Sequence, residues 1–574
     1  MKKALSIATV IVMAVLLATP SKTAAGSKDT LVVYASGESL DVIISNDTTA
    51  TGAQAHKAYK LVSLDTTYIF QGAVSVKSDL TIIGVRGKDG RPPCIQPGTL
   101  QDGSVPDYLF VMKGSGTKGV FKDLYLMGLS TINTNAQWGD AIRLLGDNIR
   151  LTVNNMIFEQ WWGDCITYFG SHNSFFIENC KFRNGNQPSW YSGEVLRCQS
   201  GDAYTDTLVM RYNTILCYTA YAACPLTKKM LLYCDFSHNN VLWMFKNPFW
   251  LFNATDAKIN NNIFYATFAG GISKTEYPWW DQLWSEEIGS IIDLDSLDLA
   301  KAAEMCPTEK DNPNLRWLAE AKRKVEVKNN VYYTPSELVG MVKAWNDTAH
   351  VDSVYTAEWM NKRTRDMFAD KAHWPGLVAE GNINVDPGFG QGILDVLYNN
   401  KGNGVGFWQY FTDIRTSTAT NSYYGYKVQS VQGDYWVPQW PLPEMTDMQY
   451  SNAALKTGGT DGKAIGDPGW FTGGYTGVED NNIQVPDKFT LFEAYPNPFN
   501  PSTKIKFNLS QAGNVSLKIY NVMGQLVKTV IENTYKEKGV YELNVNMNNY
   551  SSGIYFYQLT QGKQGMTKKM VLMK

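Results

Sequence analysis

Residues 137–158 read QWGDAIRLLGDNIRLTVNNMIF, and residues 161–182 read WWGDCITYFGSHNSFFIENCKF. At an offset of 24 the two share Trp138/Trp162, Gly139/Gly163, Asp140/Asp164, Ile142/Ile166, Gly146/Gly170, Asn155/Asn179 and Phe158/Phe182. A period of this length is that of a solenoid, in which each unit buries its apolar face only by stacking on the next. Segments such as IRLTVNNMIF and SFFIENCKF are short, rich in β-branched and aromatic residues and punctuated by Asn, which favours strands over helices.

An Asn followed by apolar residues recurs at Asn155, Asn179, Asn213, Asn240, Asn262 and Asn330, with gaps of 24, 34, 27, 22 and 68. Such spacing fits coils of similar length carrying loops of variable length. A turn repeated in every coil needs a residue that tolerates left-handed backbone, and a side-chain amide there can bond its counterpart one coil away. The expected fold is therefore all-β: a right-handed parallel β-helix, with equivalent residues about 4.8 Å apart along its axis. Its regular part should start within 79–95, and residues 27–75 should supply a cap or first coils that protect the edge strand. The repeat breaks after Asn262. Helical insertions are expected near 271–327 and 334–380, including SELVGMVKAW and AEWMNKRTRDMFADK, and turn-rich segments at 382–390 and 461–471 should close the helix.

The N-terminus has two lysines, an apolar run over 4–18 and a small-residue exit at 23–25. This pattern reads as a signal peptide over 1–25, so an exported mature chain without a transmembrane span is expected. The formal net charge of -2 gives no reason to expect nucleic acid as a partner. The eight cysteines lack zinc-like spacing, and Cys165, Cys180, Cys198, Cys217 and Cys234 lie among apolar residues, which favours buried thiols over disulfides.

After a polar linker at 473–488, residues 489–574 alternate apolar and polar residues in TKIKFNL, VSLKIYNV and GIYFYQL, with turn signals between them. That predicts a small antiparallel β-sandwich. The residues Tyr495-Pro496-Asn497-Pro498-Phe499-Asn500-Pro501, Gly524-Gln525, Ser552-Gly553-Ile554-Tyr555 and the terminal KKMVLMK closely resemble the C-terminal sorting domain of the type IX secretion system. The resemblance implies a Bacteroidetes-type bacterium, engagement of that secretion machinery, and delivery to the outer cell surface or the medium.

The repeat also carries an acid. Gly139-Asp140-Ala141-Ile142-Arg143, Gly163-Asp164-Cys165-Ile166-Thr167 and Gly193-Glu194-Val195-Leu196-Arg197 align, so Asp140, Asp164 and Glu194 should form a column. With Ile142, Ile166 and Leu196 facing inward, Arg143, Thr167 and Arg197 should face out. Two readings stand side by side. In one the acids hold Ca2+, which neutralises a uronate carboxylate while a neighbouring base abstracts the adjacent proton and the linked sugar leaves by β-elimination. In the other the acids cap turns and pair with arginines.

GDAIRLLGDNIRLTVNNMIF looks like the coil of pectate lyases whose Asp-led strand supplies a calcium ligand, and Asp140 falls on that ligand. ACPLTKKMLLYCDFSHNNVLW is similar to that family's R-x-P-x-x-R segment: Pro225 matches the proline, Lys228 stands at the second Arg, and the first Arg falls on Ala223. The family's Trp-x-Asp-His motif is replaced by 151–155, and the N-T-D-G and G-H-G motifs of β-helix hydrolases are missing from the sequence. The lyase reading thus assigns catalysis to Arg197 and Lys228, substrate binding to Arg143 and Lys229, and calcium to Asp140, Asp164 and Glu194. The expected role is a secreted or surface protein that binds or cleaves polysaccharide; a non-catalytic adhesin or extracellular structural protein is the alternative.

Overall fold

The computed structural model describes residues 30–471 and 489–573, apart from 36–37, 64–66, 101, 131–138, 186–192, 201–202, 204, 225–230, 250–252, 272–289, 298–319, 349–353, 355–357, 399–404, 417–423, 428–430, 433–434, 437–439, 443–445, 493, 495–496, 510–512, 537–538 and 563. The expected signal peptide, the 473–488 linker and most of the first insertion lie outside the described residues. The chain divides into two compact units, residues 1–474 and 475–574.

The first unit is a right-handed parallel β-helix built on three sheets of eleven, ten and six strands, with every neighbouring pair within them parallel. One coil runs through Asp140–Leu144 in the six-strand sheet, Arg150–Asn154 in the eleven-strand sheet and Ile157–Glu159 in the ten-strand sheet. The next coil repeats this with Ile166–Tyr168, Asn173–Glu178 and Lys181–Arg183. Alternation decides the facing: in Arg150–Asn154, Leu151 and Val153 are buried while Arg150 is exposed. Leu151, Phe175, Leu208, Cys234, Ala257, Val325 and Leu377 then stack in register as one interior column. Cys234 serves there as a small hydrophobe, and Cys94, Cys165, Cys180, Cys198, Cys217 and Cys234 are all buried free thiols.

The polar spine differs from the expected one by a division of labour. In the turn between the eleven- and ten-strand sheets, the left-handed residue is Asp123, Asn155, Asn179, Tyr212, His238, Asn261, Asn329 or Gly381. The amide ladder is formed by the residue that follows. Asn213, Asn239, Asn262 and Asn330 each donate from Nδ2 to the Oδ1 of the next coil's asparagine, at 2.9, 3.1, 2.9 and 2.8 Å, ending at Asn382. The left-handed residues add shorter links of their own, since Asn155 Nδ2 donates to Asp123 Oδ1 at 2.5 Å and Asn261 Nδ2 lies 3.1 Å from His238 Nε2, while the continuous ladder belongs to the residues that follow them. Asn155 thus holds its turn and bonds Asp123 one coil back, Asn179 holds its turn, and Asn239, not Asn240, is the rung of its coil.

Within residues 27–75 the chain supplies first coils, one of the two expected roles, with Thr30–Val33 and Ala58–Val62 at the edge of the eleven-strand sheet and the helix Leu40–Asn46 packed at that end. In the second insertion Ser336–Asp347 is helical as expected. AEWMNKRTRDMFADK is only partly so: Glu358–Met360 pairs in parallel with Ser290–Ile292, and the helix starts at Lys362 because the Asn361 side chain caps it through the Thr364 amide at 2.8 Å.

The ten-strand sheet is apolar on both faces, so its outer face must be covered. A strap formed by residues after 390 does this. Phe407, Tyr410, Phe411, Tyr424 and Tyr450 pack over Leu216, Trp243, Phe245 and Tyr265. The Tyr424 hydroxyl donates to the carbonyls of Tyr218 and Trp243, both at 2.8 Å. Farther back along the helix, Trp440 and Leu442 reach Tyr125, Ile157 and Trp162. The 461–471 segment then fastens onto the turn stack: His238 Nδ1 donates to the Ala464 carbonyl at 2.9 Å, and Asp467 accepts from Thr214 Oγ1 at 3.0 Å.

The second unit is an antiparallel β-sandwich of a three-strand and a four-strand sheet, closed over Ile505, Phe507, Leu517, Ile519, Tyr557 and Leu559. No helix among the described residues is long and apolar enough to cross a membrane.

Candidate functional site

The six-strand sheet brings together most of the residues that the repeat singled out. Ile142, Ile166 and Leu196 are Cα partners in succession, as are Arg143, Thr167 and Arg197. Asp140, Asp164 and Glu194 therefore form the expected column, two residues upstream in each coil. Close packing explains Gly139, where a Cβ would lie 1.4 Å from the Asp107 carbonyl oxygen, and a left-handed φ of 88° explains Gly193.

The acids do not open into solvent. Asp140, Asp164 and Glu194 are 4%, 3% and 2% exposed. Their charge is met by the arginines. Arg143 Nε donates to Asp140 Oδ2 at 2.6 Å. Arg197 Nη1 stands 3.6 Å from Asp164 Oδ2 and 3.7 Å from Glu194 Oε1, bridging two coils. The Glu194 amide also donates to Asp164 Oδ1 at 3.2 Å. Burial pushes both aspartates upward, and Asp164, with Asp140 as an additional negative neighbour, rises to about 6 despite the opposing charge of Arg197.

What the column offers outward is positive. The Arg143 and Arg197 side chains keep 20% and 23% of their surface while the acids beneath them are covered. The Arg143 guanidinium carbon stands over two rings, 3.7 Å from the Tyr108 centroid and 5.2 Å from that of Phe169. Tyr108 is the Cα partner of Asp140 in the preceding coil, and Lys246 sits 5.5 Å over the ring of Tyr221 in the coil that follows Arg197. Sequence reasoning missed these aromatics because the preceding coil, YLFVM, lacks the glycine-acid signature that marks the other three. Thr167, expected to face out, is wholly buried between the arginine coils.

Lys228 and Lys229 lie outside the described residues. Ala223, at the place of the pectate lyase base, is a buried residue paired with Leu196. No group of three or more His, Cys, Asp or Glu side chains suited to a metal ion is found among the described residues. The carboxylates as arranged face Arg143, Arg197 and the Glu194 amide.

A second buried ionic group escaped the sequence altogether. Glu159 and Arg183, Cα partners in the ten-strand sheet, form an ion pair under the strap, and Asn184 completes it by donating to Glu159 Oε1 at 2.8 Å. Asn184 also exchanges bonds with the backbone of Tyr426, at 2.8 and 3.2 Å, tying the pair to the covering segment. His238 is part of the same fastening, with Nε2 3.2 Å from Asp461, which marks it as architectural.

Residues 493–573 match the model of the secretion system C-terminal sorting domain. No curated protein and no solved structure matches the chain. The sorting tail makes this a protein exported by the type IX route, to the cell surface or the medium.

Proposed function

We propose that this exported β-helix protein binds acidic polysaccharide on its six-strand face, through Arg143 and Arg197, without cleaving it. The observation that carries this reading is the inversion of the column. Buried carboxylates hold two guanidiniums in place, and only the guanidiniums reach solvent. A guanidinium fixed by a carboxylate and flanked by aromatic rings suits a sugar carboxylate, which it can meet with two parallel donors while the rings cover the sugar's apolar edge.

Cleavage by β-elimination would need a base on the same face. Arg197 is a poor one, since guanidinium does not give up its proton in proteins and two carboxylates lie within 3.7 Å of it. The rival lyase reading needs Lys228 or Lys229 as base and needs Asp140, Asp164 and Glu194 to exchange arginine for Ca2+. The other rival, an extracellular structural protein, would use the same ion pairs for rigidity alone.

One experiment separates the three. The full-length exported protein is mixed with uronate-containing and neutral polysaccharides, with and without Ca2+, while binding is followed by calorimetry and the unsaturated product by ultraviolet absorbance. Calcium-independent binding of the acidic polymers only, weakened by salt and with no absorbance gain, is the expected result. Calcium-dependent absorbance would establish the lyase, and no binding to any polymer would leave the structural role.

A further inference from the structure

Building on the binding reading, we infer that the preferred ligand is a polysaccharide carrying one acidic group on every second sugar, laid along the helix axis. The outward column of the six-strand sheet reads Val111, Arg143, Thr167, Arg197 in consecutive coils. Cations therefore stand on alternate coils, and the coil between them presents a buried, uncharged Thr167.

One coil rises about 4.8 Å, comparable to one pyranose in a chain, so the two arginine positions are separated by about 10 Å, the length of a disaccharide. A homopolymer of uronates laid here would place a carboxylate over Thr167. Among the described residues no cation meets it there, and the buried acids Asp140 and Asp164 lie in the two coils it would span. An alternating polymer places a neutral sugar at that point and a carboxylate at each arginine. Like charges brought close without a counter-ion oppose binding, while matched pairs favour it, so the spacing discriminates by repulsion as well as by attraction.

The inference rests on the binding reading, and its test keeps the two apart. Hyaluronan fragments, with one carboxylate per disaccharide, and polygalacturonate fragments of equal sugar number, with one per sugar, are titrated into the full-length exported protein by calorimetry in calcium-free buffer. Hyaluronan should bind about tenfold or more tightly although it carries half the charge. Equal affinity, or tighter binding of polygalacturonate, would overturn the spacing inference and leave the binding reading standing. Failure of both polymers to bind would overturn both. Arg143→Gln and Arg197→Gln, each with an unchanged far-ultraviolet spectrum, should abolish the preference; a preference retained in both variants would count against the inference, and the unmodified protein decides the matter if either variant fails to fold.

Discussion

Glu159 and Arg183 face one another in register across neighbouring coils, and their side chains are 0% and 1% exposed. Removing one partner strands a charge under the strap. Arg183→Met should therefore destabilise the β-helix by about 3–5 kcal/mol, and adding Glu159→Leu should recover much of that loss. Chemical denaturation of the two variants measures this; a double variant no better than the single one would mean that the pair contributes through Asn184 and Tyr426 instead.

Asp164 makes stability depend on pH in the direction opposite to an ordinary paired aspartate. Its folded pKa of about 6 lies above the unfolded value of 3.8, so its contribution is fully present below the unfolded value and is lost as pH rises through 6. Melting temperatures of the unmodified protein relative to Asp164→Asn should rise as pH falls from 7 to 5. Protonation also releases Arg197 from one counter-ion, so binding of a uronate polymer should tighten over the same range.

The amide ladder should be most sensitive in its middle. Asn239 accepts from both the backbone and side-chain nitrogens of Asn213, at 3.0 and 2.9 Å, and donates to Asn262 and to the Met210 carbonyl. Asn239→Ala leaves several buried groups without partners and should cost at least about 3 kcal/mol. Asn382→Ala, at the end of the ladder and partly exposed, should cost less in the same denaturation experiment.

Asp467 secures the strap. It accepts from Thr214 Oγ1 and from the Gly469 amide at 2.9 Å, while Trp470 Nε1 donates to the same threonine at 2.7 Å. Asp467→Ala should speed proteolytic cutting within 461–471 with little change in the far-ultraviolet spectrum. Unchanged cutting would mean that the apolar contacts of Trp470 suffice.

Cys94, Cys165, Cys180 and Cys234 are buried, and burial raises each thiol well above its ordinary range, that of Cys180 to about 12. They should resist iodoacetamide in the native protein and react on denaturation. Mass spectrometry before and after unfolding reads this directly.

The solenoid was legible because its signal is local and repeated. Coil period, alternation and the asparagine-apolar pairs are properties of single strands and turns, and stacking has only to repeat them. The ladder's phase was not legible, since NN pairs such as Asn239-Asn240 look alike until backbone conformation assigns one residue to the bore. The start of the helix at Lys362 was missed for a similar reason: WMNKRTRDMF has a helical pattern throughout, and only pairing with Ser290–Ile292 makes its first residues a strand.

By itself the sequence determined the β-helix, the sandwich and its sorting motif, and the acidic column, because each rests on spacing along the chain. The tertiary structure decided what the column is for. Whether Asp140, Asp164 and Glu194 face solvent or Arg143 and Arg197 depends on burial and on which side chains neighbouring coils bring within 4 Å. The pairing of Glu159 with Arg183 and the long strap over the ten-strand sheet belong to the same class. Both join positions whose proximity comes from stacking coils and returning the chain along them, and neither leaves a periodic trace.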